Sequence, residues 1–238
     1  MPLTPRLKNA RTALGAEHGF TLVELLVAMA AGIVVSSALF TILDVTLEQT
    51  TRTFSRVDAT QRARTALETI ENEMHSGCVE NSVTPIRTGS SATSVEFLSQ
   101  YGNGVNLTPV VHKVSFDSST GKLTDETYAV TGTAPQWGRE ATPTSTKTLL
   151  TNVAESPGTP VFQYFSLDPS VASPLPAPLD YKEAGTTTEV RITLVVKPAG
   201  GSHQDTNLVA NTVTNSVLLR LTPIPNPGTP NQDFNPCE

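Results

Sequence analysis

Cysteine is scarce in this chain: Cys78 and Cys237 are the two among 238 residues. That excludes a disulfide-stapled mini-scaffold and a multi-cysteine zinc module. Histidine is nearly as rare, and His75, His112 and His203 have no ligand spacing among them. Each reads as an ordinary surface or partly buried histidine. Charged residues make up 16%, well under the roughly 25% of an average soluble domain, which argues against a disordered polyelectrolyte. A net charge of −6 removes the electrostatic basis for nucleic-acid binding, so no nucleic-acid partner is expected. No GxSxG, HExxH, P-loop or GxGxxG signature occurs, so neither an enzyme nor a cofactor is expected.

Helix breakers are missing from one long stretch. No proline lies between Pro5 and Pro85, no glycine between Gly32 and Gly77, and sixteen of the eighteen prolines fall from Pro85 onward. The expectation is one continuous helix from Phe20 to Ser76, about 85 Å long at 1.5 Å per residue, with Gly77 as its C-cap residue. Ala63, Ala66, Leu67, Ile70 and Met74 recur at helical spacing, while Arg62, Arg64, Glu68, Glu71 and Glu73 take the wet side with pairs such as Arg64–Glu68. Leu47, Phe54 and Val57 continue a looser apolar stripe upstream. Ala28, Gly32 and Ser36 put small residues at four-residue spacing, which suits close helix packing.

The start of that helix is strongly apolar. Between Glu24 and Asp44 the uncharged run Leu25–Leu43 has 19 residues, close to the ~30 Å of a bilayer core. Arg6, Lys8 and Arg11 precede it, against the single acid Glu17. The bias keeps the N-terminus cytoplasmic and exports the remainder. An ordinary signal peptide shares this plan, and Ser36-Ser37-Ala38 offers it a cleavage site. On that reading the product is a secreted β-rich binding domain starting at Leu39. Two features oppose it: the apolar stretch from Phe20 exceeds the usual h-region, and it contains Glu24 at an insertion cost of roughly 2.5–3.5 kcal/mol.

Gly19-Phe20-Thr21-Leu22-Val23-Glu24-Leu25-Leu26-Val27-Ala28-Met29 resembles the processing and methylation motif of type IV prepilins and type II secretion pseudopilins. The resemblance implies that prepilin peptidase cuts between Gly19 and Phe20, that Phe20 becomes N-methylated, and that the apolar segment is retained. It also implies assembly through Thr21 and Glu24, with Glu24 of an incoming subunit pairing with the preceding subunit's N-terminus. Elementary electrostatics fits: the new α-ammonium has an unperturbed pKa of about 7.7–8.0, and cation and carboxylate relieve one another's desolvation. A self-pair within one helix is the other geometry, since residues 20 and 24 are i,i+4 neighbours.

Beyond Cys78 the periodicity changes. Ser94–Tyr101, Val110–Phe116, Lys122–Val130, Thr159–Leu167, Val190–Val196 and Ser216–Leu221 read as strands. Asp117–Gly121 forms a hairpin turn, Pro198–Asn211 a polar loop, and Pro169–Pro178 an excursion unfit for a central strand. The tail Pro223–Pro236 has too few apolar residues to form core. The expected fold class is α+β and pilin-like, a long helix packed on an antiparallel sheet. Its divisions are a leader 1–19, a transmembrane and polymerisation helix 20–43, an amphipathic helix 44–77 and a β-rich head 78–238. The order of elements, with RARTALETIENEMHSG and VRITLVV, looks most like the larger minor pilins and pseudopilins of the PilW and PulJ type.

The function this implies is a minor subunit of a pilus, priming or capping it, or else a type II secretion pseudopilin. Its partners would be prepilin peptidase, other pilin or pseudopilin subunits and the membrane, with the head exported to the periplasm or cell surface. In that oxidising compartment Cys78 and Cys237, 159 positions apart, have two readings: a disulfide worth about 4–5 kcal/mol in the chain-entropy model, or free or intermolecular thiols. Asp180, Glu183 and Glu189 flank a Gly-Thr turn, either as a solvated loop or as calcium ligands of the kind some pseudopilins carry. Trp137 is left open between an exposed contact and a core anchor.

Overall fold

The computed structural model describes residues 19–77, 85–100, 109–132, 137–170, 173–198 and 210–219. The chain divides into two units, Met1–Thr50 and Thr51–Glu238. Helix α1 (Leu22–His75) contributes to both. In the first unit every described side chain is exposed within the chain, from Gly19 to Thr50. Hydroxyl residues do not break α1, because several donate to the carbonyl four residues back: Thr41 to Ser37 at 3.0 Å, Thr46 to Ile42 at 2.7 Å and Thr50 to Thr46 at 2.7 Å. A hydroxyl satisfied within its own helix needs no water or partner.

The second unit holds the rest of α1 and two antiparallel sheets. The first sheet runs β1 (Ser94–Gln100), β2 (Pro109–Asp117), β3 (Lys122–Thr131), and β3 also bonds β4 (Gly138–Arg139) and β5 (Ser145–Thr151). In the second sheet, β8 (Glu189–Val196) is central. Its whole length pairs with β9 (Asn211–Leu218), and β6 (Val153–Ala154) and β7 (Phe162–Phe165) share its other edge. The single sheet expected from sequence is therefore two.

The expected β2–β3 hairpin forms. At its turn Asp117 accepts hydrogen bonds from the Ser119 N–H (2.8 Å) and from the Ser119 and Thr120 hydroxyls (2.6 and 2.7 Å). Gly121 closes the turn at φ 61°, with space for a Cβ limited by the Val153 carbonyl at 3.0 Å.

The apolar stripe of α1 is buried as expected. Ala59, Ala63, Ala66, Leu67, Ile70 and Met74 share one core with Phe97, Val114, Leu123, Phe162, Tyr164 and Ile192, among others. The looser upstream stripe is not continued: Leu47, Phe54 and Val57 are exposed. A helical stripe becomes core only where a partner surface reaches it. On the wet face Arg62 pairs with Asp58 at 2.9 Å, and among the described residues Arg64 and Glu68 form no ion pair. Gly77 follows the helix end and its N–H bonds the Met74 carbonyl at 3.0 Å. A Cβ there would meet that same carbonyl at 2.7 Å and the Pro85 ring at 3.0 Å. Glycine is required by close approach rather than by a left-handed backbone.

Other boundaries move. The last strand among the described residues lies at Asn211–Leu218, against an expected Ser216–Leu221 whose last two residues lie outside them, so Asn211 belongs to the strand and not the loop. The Thr159–Leu167 segment keeps strand geometry over Phe162–Phe165. β5 was not legible, since Ser145–Thr148 are exposed and carry no inward periodicity. The described residues of the proline-rich excursion form no strand, but Leu175 within it and Leu179 just after it enter the core. Residues 220–238, with the tail, lie outside the described residues, as do Cys78 and Cys237 and hence the disulfide expectation.

Candidate functional site

The amino-terminal site is built by a helix start. Gly19, Phe20 and Thr21 precede α1 in chain order, and α1 opens at Leu22. Thr21 is the capping residue: its carbonyl accepts the Leu25 N–H at 3.1 Å and its hydroxyl accepts the Glu24 N–H at 3.3 Å. Thr-x-x-Glu is the sequence form of a capping box, and Glu24 lies in the first turn, where the helix dipole favours a carboxylate. Among the described residues, a Cβ at Gly19 would meet no atom within 4 Å.

Below the cap the side chains are apolar on all faces. Phe20, Leu22, Val23, Leu25, Leu26 and Val27 are all more than half exposed. The most apolar window of α1 has a mean hydropathy of 2.3 with none of it buried in the chain. By length and composition it is sufficient to cross a membrane. An uncovered apolar surface of this size requires lipid or other helices around it.

With this geometry in view, comparison with known families finds a match to the Prokaryotic N-terminal methylation motif over residues 15–40. The chain carries a prepilin-type methylation motif. No curated protein matches the chain. The prepilin-type motif spans the Gly19–Phe20 junction, the Thr21 cap and Glu24, and it ends within the apolar stretch of α1. Together with the α+β order of a long helix followed by antiparallel sheets, the architecture is pilin-like.

The remaining sequence candidates separate. Asp180 and Glu183 are engaged in a capping box on a short helix, α2 (Tyr181–Thr186): Asp180 accepts the Glu183 N–H at 2.7 Å and Glu183 accepts the Asp180 N–H at 2.8 Å. Glu189 lies on β8 and pairs with Arg191 at 3.0 Å. These carboxylates therefore serve local structure and do not converge. The expected turn is a helix, because Asp180-x-x-Glu183 is itself a capping sequence. Trp137 is half-buried, and its carbonyl accepts from Arg87 Nη1 at 2.7 Å. His75 is half-buried at the end of α1. His203 lies outside the described residues.

His112 departs from its expected role. It is buried on β2, stacked on Phe97 with ring centroids 5.4 Å apart. Its Nδ1 lies 3.0 and 3.2 Å from the two oxygens of buried Asp125 on β3 and 3.4 Å from Glu73 Oε2 on α1. Glu73, expected on the wet side, keeps only 18% of its side chain exposed, and its Oε2 is buried without a well-formed hydrogen bond. Burial, then the facing Asp125 carboxylate, pushes Glu73 up to about 7, against the pull of His112 and Lys147. The strand period held a signal for this. His112 and Asp125 fall in step with inward Val114, Phe116 and Leu123, where polar residues are unusual.

Proposed function

We propose that the protein is a minor type IV pilin-like subunit that acts through assembly rather than catalysis. Prepilin peptidase cleaves it after Gly19 and methylates Phe20. The retained segment 20–43 then anchors it in the cytoplasmic membrane with the head exported, and later packs among the helices of other subunits. The observation that carries this reading is the methylation motif at residues 15–40, placed where the chain turns into a capped apolar helix. A structure dedicated to polymerising needs an apolar helix that its own chain leaves uncovered, and residues 20–43 provide one. Residues 1–19 carry three basic side chains and one acid, so their removal makes the mature chain more acidic than its precursor. That suits a soluble surface on an assembly.

The test is the mature N-terminus, read by mass spectrometry on protein from the membranes of cells with and without prepilin peptidase. N-methylphenylalanine at Phe20, present only with the peptidase, is the expected result. A chain beginning at Leu39 would establish the secreted-domain alternative instead. Quantitation against the main subunit in sheared filaments tests the minor role: a few copies per filament are expected, and equimolar abundance would refute it.

A further inference from the structure

We propose that Glu73, His112 and Asp125 bind one divalent transition-metal ion of the zinc class, which fastens the last turns of α1 to strands β2 and β3. The three residues offer one donor atom each within 4.8 Å of one another. The distances from His112 Nδ1 are 3.0 and 3.2 Å to the Asp125 oxygens and 3.4 Å to Glu73 Oε2. A tetrahedral centre with ligand bonds of about 2.0–2.2 Å holds its donors about 3.3–3.6 Å apart, so the two edges from His112 fit within a few tenths of an ångström, and the Asp125–Glu73 edge lies within 4.8 Å.

Charge points the same way. Two carboxyl groups face one imidazole in a largely buried place, and a bound dication would hold both as carboxylates. Lys147, paired across from Asp125 in the β3–β5 ladder, is an exposed neighbour. A dication compensates carboxylates whose burial would otherwise be costly. The buried Glu73 Oε2, without a well-formed hydrogen bond, gains a partner. The imidazole selects a borderline metal over calcium or magnesium, which prefer all-oxygen shells. Stacking on Phe97 fixes the ring plane, and Glu73, the most exposed of the three, gives the route from solvent.

The inference is independent of the assembly reading. It is tested on the full mature chain in detergent with Zn²⁺ alone, by calorimetry and thermal melting. His112→Ala risks the fold, so the informative variant is Glu73→Gln, which keeps the volume and removes one of two facing carboxylates. The wild type should bind one Zn²⁺ and melt several degrees higher with it, while Glu73→Gln binds at least tenfold more weakly and shows no such rise. Equal responses in the two proteins, or no response in either, would overturn the site. A Glu73-dependent response to Ca²⁺ in place of Zn²⁺ would overturn the imidazole as a ligand.

Discussion

Asn215 on β9 donates through Nδ2 to the Glu71 carboxylate on α1 at 3.0 Å, and Asn211 donates to Thr60 Oγ1 at the same distance. Four residues of strand span about 13 Å and eleven of helix about 16 Å, so β9 runs alongside α1 in the same sense. This is how an edge strand with alternating half-exposed residues is held to the helix. Replacing Asn215 with Ala should lower stability by about 1 kcal/mol, the usual worth of a partly exposed hydrogen bond. Urea denaturation of the full chain would measure it, and an unchanged midpoint would show that the contact contributes nothing.

The same helix carries residues of similar chemistry and opposite fate. Ile70 is fully buried while Phe54 is 70% exposed. Ile70→Ala should cost about 2–4 kcal/mol through lost burial and a cavity, whereas Phe54→Ala should stay within about 0.5 kcal/mol in the detergent-solubilised single subunit. Comparable losses in chemical denaturation would mean that Phe54 is covered in the subunit alone.

Asp117 links the β2–β3 turn to acid. The Ser119 and then the Thr120 hydroxyl hydrogen bonds lower it from its usual 3.8 to about 2. A carboxyl depressed on folding stabilises the fold above its unfolded value, so this contribution is intact above 3.8 and is lost as pH falls through about 2. Carboxyl-resolved NMR titration should place its midpoint near 2 in the wild type. A midpoint at the ordinary carboxylate value would show that the turn does not hold the charged form.

Glu24 should matter for assembly and not for insertion. On the proposed function Glu24→Ala removes the carboxylate that pairs with a neighbouring N-terminus, so membrane insertion and cleavage after Gly19 are expected to persist while recovery in sheared filaments or pseudopili falls severalfold. The Thr21 hydroxyl accepts the backbone N–H of residue 24, not its side chain, so this cap bond is expected to survive the substitution although the carboxylate's own contribution to the first turn is lost. Full incorporation of Glu24→Ala would remove the proposed charge pairing.

Local signals were the readable ones. The long helix followed from the missing prolines and glycines, and its ends shifted by two residues at Leu22 and one at His75. The β2–β3 hairpin followed from two alternating runs around Asp117–Gly121, and β8 was visible from its apolar run, whereas only the last three residues of β9 fell within the strand read from sequence. β5 escapes a sequence reading because its first four residues are exposed on both faces. Helix α2 reads as a turn because its six residues are too few to show a helical period.

The amino-terminal motif and the apolar helix behind it were legible in the sequence alone, because residue order, an uncharged run and the lack of helix breakers are properties of neighbours along one chain. Only the tertiary structure decided that Phe54 stays outside while Ile70 is enclosed, and that Glu73 meets His112 and Asp125. A side chain's desolvation depends on what packs opposite it. That partner comes from another strand, which the residue's own surroundings in sequence do not specify.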